Sequence, residues 1–231
     1  MPTVYLHPIG LDAQMWRDIA GPGDLALSLP GFGDTPLQGV PSFPALVEFV
    51  ASQLTEPADL VGVSLGSMVA QHTALLRPDK VRSLVIACGG IASDPERSHQ
   101  RAKDTRDTGM RGVLDSTLQR WFTAEALANE DHPGVAYTRH RLLTDDPEVF
   151  AAYWDAMAAH DLRESIRDVK VATTVLAAAG DQAVSVAVIR GVADLIDGAA
   201  FEVIEGPHIL PLENRAGFMD AIQRHLGRVG P

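Results

Sequence analysis

The chain has 231 residues, 46% of them hydrophobic, with 20 Gly and 15 Pro, which describes a globular protein able to bury a core rather than a disordered or fibrous one. A formal net charge of −11 excludes nucleic acid and anionic membranes as partners at the level of net charge. One cysteine forms no internal disulfide, no secretory start precedes the first strand-like run, and no apolar stretch is long enough to span a bilayer, so a cytoplasmic location is the expectation.

In chain order, six short aliphatic runs predict strands: Thr3 to His7, Asp24 to Leu29, Asp59 to Val63, Val81 to Ala87, Ala172 to Ala178 and Ala200 to Ile204. Most are apolar at consecutive positions, as in strands covered on both faces. Between them, apolar residues at three- and four-residue spacing predict helices over Phe43 to Leu54, Ser67 to Leu76, Val184 to Ile196 and Ala216 to Leu226. Alternation of this kind implies an α/β fold in which all six strands run parallel. From Ser93 to Val169 no strand-like run occurs, only helical patterns marked off by Pro95, Pro133 and Pro147. The chain therefore divides into a core, 1–92 with 170–231, and an all-helical insertion, 93–169. That insertion is either a lid over the carboxyl ends of the sheet or a bundle packed elsewhere.

Chemistry concentrates at strand ends. Gly62-Val63-Ser64-Leu65-Gly66 is a GxSxG pentapeptide directly after a strand run and directly before a helical one. In such an elbow the serine sits on a strained strand-to-helix turn, and the flanking glycines keep side chains out of the place where the chain doubles back. Ser64 is the nucleophile on this reading. A serine hydroxyl needs a base, and the base needs a carboxylate, in the chain order Ser, acid, His. His208 lies in the loop after the last strand run and is the base, whereas His225 falls within the final helical pattern. Asp181 closes the fifth strand run and is the acid, with a helix N-cap as its alternative role. An oxyanion formed at the acyl carbon needs two N–H donors. Leu65 supplies one, and the loop His7-Pro8-Ile9-Gly10 the other, through Ile9 or Gly10, since Pro8 has no N–H. Ile9 is the expected second donor.

Strand-HPIG, LPGFGD at 29–34, GVSLGS at 62–67, AAGD at 178–181 and GPHILPLENRAGF at 206–218 occur in order, and together they resemble the α/β-hydrolase superfamily over nearly the whole chain. Gly109-Met110, the stretch Leu118 to Thr123 and Asp161-Leu162-Arg163-Glu164 are similar to the cap of 3-oxoadipate enol-lactonases. The resemblance implies a cofactor-independent, metal-free serine hydrolase of a small-molecule carboxylic ester or lactone, with an enol-lactone as the narrower expectation. Serine at the elbow argues against the dehalogenases and epoxide hydrolases of that fold. The sheet is expected to lack the family's N-terminal hairpin, and HPIG replaces its usual serine-leucine-glycine oxyanion loop. Two alternatives stand beside the esterase: a C–C bond hydrolase or lyase on the same triad, and a ligand receptor on a hydrolase scaffold.

Trp121, Trp154 and Met157 are candidates for an apolar pocket wall, with Trp16 beside them; Cys88, His72 and Met68 read as packing residues. Arg120, Arg139 and Arg141 are either solvated surface or partners for a substrate carboxylate. No histidine group has metal-ligand spacing, no nucleotide motif occurs, and the oligomeric state is not legible.

Overall fold

A computed structural model describes residues 1–230. All six expected strands form: β1 (Thr3–Leu6), β2 (Leu25–Leu27), β3 (Ala58–Val63), β4 (Val81–Ala87), β5 (Ala172–Ala178) and β6 (Ala200–Ile204). They pair in the order β2-β1-β3-β4-β5-β6, every pair parallel. The central strand β3 is buried at all six positions, which is why its sequence shows no alternation. At the edge, β2 is three residues long, shorter than its apolar run. Asp24 stands outside it and accepts the Thr3 and Gly21 N–H groups at 3.0 and 2.8 Å.

Nine α-helices complete the described chain: α1 (Phe43–Gln53), α2 (Leu65–Leu76), α3 (Pro95–Trp121), α4 (Ala124–Ala128), α5 (Pro133–Thr144), α6 (Pro147–Ala158), α7 (Val186–Ala193), α8 (Leu210–Glu213) and α9 (Arg215–Val229). Residues 93–169 hold α3 to α6 and no strand; the one β-type pairing there is an isolated bridge between Ala92 and Asp161. Pro95, Pro133 and Pro147 are each the first residue of a helix, where the missing N–H leaves nothing unsatisfied. Asp94, His132 and Asp146 cap these helices from the preceding position. Within α3 the backbone breaks at Gly109, φ 66° and ψ −179°, so the segment is two helices meeting at a kink.

The strand order reverses direction at β1 and β3: the chain leaves β1 outward to β2, then returns to β1's other side. Open α/β sheets bind ligands in the crevice beyond the carboxyl ends of strands at such a switch point. The loop after β1 is His7 to Gly10, and the turn after β3 is Ser64. Among the described residues no helix is long and apolar enough to cross a membrane.

Candidate active site

Ser64 sits between β3 and α2 with φ 54° and ψ −118°, a conformation costly for a residue with a Cβ. The turn packs too closely for any side chain at the glycines on either side. A Cβ on Gly62 would lie 2.3 Å from the Gly66 carbonyl oxygen, and one on Gly66 would lie 2.1 Å from the Leu6 carbonyl oxygen. The turn is tied down on both sides. Ser64 N–H donates to Ala87 O at 2.9 Å, and Ser64 O accepts from the Ser67 N–H at 2.9 Å and the Ser67 hydroxyl at 2.7 Å. Leu65 opens α2, so its N–H has no acceptor within the helix.

Asp181 and His208 meet as their places at strand ends require. His208 Nδ1 lies 2.7 Å from Asp181 Oδ2, and the two side chains are almost wholly buried. The other carboxylate oxygen, Oδ1, accepts the backbone N–H groups of Ala183 at 2.7 Å and Val184 at 2.9 Å. One oxygen therefore faces the imidazole, and the other holds the turn at residues 181–184. Asp181 does not cap α7, however; Ser185 does. The tie to residues 183 and 184 also explains why the helix starts later than its periodicity suggests.

The loop after β1 is fixed by His7. Leu29 N–H donates to Nε2 at 2.8 Å, which leaves Nδ1 as the protonated nitrogen, and it donates to Pro8 O at 2.7 Å. Burial pushes the His7 pKa down to about 4, so the ring is neutral and this arrangement holds at neutral pH. Gly10 follows at φ 74°, and a Cβ there would strike Leu142 and Phe150 at 2.6 and 2.7 Å. Side chains of α5 and α6 thus press directly on this loop.

A cavity of about 580 Å³ joins these parts, lined by Ile9, Ser64, Asp181 and His208 on the sheet side. Trp121, Trp154 and Met157, the three expected wall residues, line it from the helical segment. Met68 lines it as well, which a packing role does not anticipate. Trp16 does not: it is fully buried against Tyr5 and Phe218 in the core. Arg139 is exposed, and Arg141 is committed to Asp12 and Asp145, so neither faces the cavity. Arg101 does line it, on α3, and went unmarked in the sequence because nothing in its local pattern distinguishes it from the other arginines of that helix.

Cys88 follows β4 with φ 53° and is fully buried, its sulfur within 4.8 Å of ligand atoms of Asp181 and His208. These three are the residues nearest to a metal-binding group. Burial, with the charge of Asp181, pushes the thiol pKa up, so the sulfur stays protonated, while the carboxylate and imidazole are engaged with each other. That donor set suits a hydrogen-bonded acid and base better than a metal.

The sequence model of the alpha/beta hydrolase family matches residues 4–221. A 3-oxoadipate enol-lactonase of Acinetobacter baylyi is 25% identical over 173 residues, which is 74% of this chain and 64% of the relative's length. A pimeloyl-acyl-carrier-protein methyl ester esterase of Chromobacterium violaceum is 25% identical over 241 residues, covering 97% of this chain and 93% of that protein. Among solved structures, an enol-lactonase from Burkholderia xenovorans superimposes with a TM-score of 0.91 at 24% identity, covering 98% of this chain and 91% of that one, which is a likeness of fold.

Proposed function

The chain belongs to the alpha/beta hydrolase family, and from that premise we propose that it is a serine hydrolase cleaving a carboxylic ester or lactone through an acyl-enzyme. The observation that carries this reading is the carboxylate of Asp181, which takes His208 Nδ1 on one oxygen and two backbone N–H groups on the other, beside the cavity that Ser64 lines.

With Nδ1–H donated to Asp181, the lone pair of His208 lies on Nε2, the nitrogen that takes the Ser64 proton as Oγ attacks the acyl carbon. The imidazolium so formed is stabilised by the adjacent carboxylate, and it returns the proton to the departing alcohol. The N–H of Leu65 and that of Ile9 hold the oxyanion; the neutral His7 fixes the Pro8 carbonyl and with it the peptide that carries the Ile9 N–H. Water, deprotonated by His208, then releases the acyl group. No cofactor or metal enters this scheme. Residues 93–169 serve as a lid on a core made of 1–92 and 170–231, since Trp121, Trp154 and Met157 close the cavity from that side. Within the esters, an enol-lactone is the narrower reading, supported by the similarity of the helical segment to enol-lactonase caps and by the enol-lactonase relative.

A fluorophosphonate probe tests the nucleophile, and a panel of esters and lactones tests the reaction. We expect the probe to label the protein at Ser64 and the Ser64→Ala variant to lose both labelling and turnover while keeping its fold. Retention of more than about a tenth of wild-type kcat in that variant sinks the serine mechanism.

A further inference from the structure

Six arginines have no carboxylate within ion-pair distance among the described residues. Four of them, Arg111, Arg139, Arg167 and Arg190, are exposed, and Arg190 also stacks on Phe201 at 4.1 Å. Arg101 and Arg120 are half-buried, and both belong to α3. In a chain with 30 acidic residues, leaving these two unpaired is a selective vacancy rather than a shortage of carboxylates.

Arg101 lines the cavity that holds Ser64 and His208, with its guanidinium carbon 4.6 Å from the centroid of the Trp154 ring. A guanidinium stacked on an aromatic face keeps its in-plane N–H groups for another partner. Burial, together with the charges of Arg120 and Arg97 and against the weaker pull of Asp94, pushes the Arg101 pKa down to about 10, which leaves it charged at neutral pH with no carboxylate in ion-pair contact. The acid at the cavity edge is otherwise engaged: Asp94 accepts the Arg97 N–H at 3.1 Å and lies 3.8 Å from its Nε. Arg120 bonds to the hydroxyl of Thr117 at 3.1 Å, and its Nε is buried with no partner. It adds positive potential behind Arg101 without neutralising it.

A half-buried guanidinium in this state carries a desolvation cost that an incoming anion offsets. We propose that the ester taken by this cavity carries a carboxylate, received by Arg101 with Arg120 behind it. The claim rests on the serine-hydrolase reading and narrows its substrate class to anionic esters. The planar fork of a guanidinium matches the two oxygens of a carboxylate, and Arg101 is in this sense a specificity-determining residue.

Isosteric ester pairs test it, one with the charge on the acyl side, mono-4-nitrophenyl glutarate against 4-nitrophenyl pentanoate, and one with it on the leaving group, 4-carboxyphenyl acetate against 4-methylphenyl acetate. The readout is the ratio of kcat/KM for the charged ester over its neutral isostere. Wild type should favour the charged member of at least one pair. Arg101→Met should lower that ratio about tenfold or more, and Arg101→Lys should restore part of it. A wild-type preference for both neutral esters overturns the proposal, as does a ratio unmoved by Arg101→Met, or one lost in Arg120→Met and kept in Arg101→Met. Should wild type cleave none of the four, the hydrolase reading is decided by the fluorophosphonate probe and the lactone panel, and calorimetry with glutarate decides the anion site separately. There the Kd should weaken about tenfold in Arg101→Met, while an unchanged Kd, or no binding to wild type, refutes it.

Discussion

Asp181 shows how much one side chain can be asked to do. Its Oδ1 holds the 181–184 turn and its Oδ2 faces His208 Nδ1, so replacing it by Asn has a directed effect. The two backbone N–H groups require an acceptor, which keeps the amide oxygen at the Oδ1 position and turns the NH₂ toward His208. Two donors would then face each other unless His208 moves its proton to Nε2, where it can no longer accept from Ser64. We expect Asp181→Asn to lose about 10⁴ in kcat, the cost of the wrong tautomer in serine triads, with a thermal midpoint close to wild type because the turn is preserved. Asp181→Ala should lose activity and lower the midpoint as well. Activity of Asp181→Asn within tenfold of wild type would remove Asp181 from the mechanism. The contact with His208 was legible in the sequence as one of two alternatives, because it follows from a carboxylate at a strand's carboxyl end. The other alternative, a cap on α7, falls to Ser185, and the turn that Asp181 holds instead depends on the folded backbone.

At the scale of elements, the strand-to-helix turn is the least replaceable part of the fold. Gly62 and Gly66 face backbone atoms at 2.3 and 2.1 Å from where a Cβ would stand, and backbone cannot step aside as a flexible side chain can. Gly62→Ala should therefore move α2 against β3, and Gly66→Ala should move it against β1, each lowering the unfolding free energy by about 3 kcal/mol or more, or preventing folding. Helical glycines give the contrast. Gly191 in α7 and Gly227 in α9 would place a Cβ in open space, so alanine there should leave stability unchanged or raise it by about 0.5–1 kcal/mol. Denaturant midpoints of the four variants check the ordering, and equal effects at Gly66 and Gly191 would contradict it. The strands were legible because buried parallel strands are apolar at every position, and the Ser64, Asp181 and His208 stations because each sits where a strand run stops. The helix starts at Pro95, Pro133 and Pro147 were legible for a local reason also. What Arg141 and Arg101 do was not: one is paired to Asp12 across the chain and the other is paired to nothing, and the lack of a partner is a property of the packed molecule.

For the molecule as a whole, buried histidines should set the response to acid. His7, His72 and His225 each have a pKa pushed down to about 4 from an ordinary 6.5, in every case chiefly by burial. His72 also faces His160, itself pushed down: Gly90 O accepts the His160 Nε2 proton, so His160 Nδ1 accepts from His72 Nε2 at 3.1 Å. Protonating both rings would set two charges against each other. His225 is neutral between Thr174 and Ser83 at 2.7 and 2.8 Å. Between about pH 6.5 and 4 the unfolded chain takes up protons at these sites and the folded chain does not, so stability falls as pH falls, by up to about 1.4 kcal/mol per pH unit for each group. Asp145 acts in the opposite sense. Burial pushes its pKa up to about 7 despite Arg141, so the folded state holds a proton that the unfolded carboxyl releases, a contribution present at low pH and lost as pH rises through 7. One carboxyl offsets about one histidine, and the others prevail. The unfolding free energy should therefore decline from pH 7 to pH 5, with a net slope of about 2–3 kcal/mol per unit at its steepest. Replacing His225 by Gln, which cannot take up the proton, should flatten that slope by about half. Urea titrations at half-unit steps measure both, and a free energy that stays level or rises toward pH 5 would mean that these rings are not held neutral in the folded state.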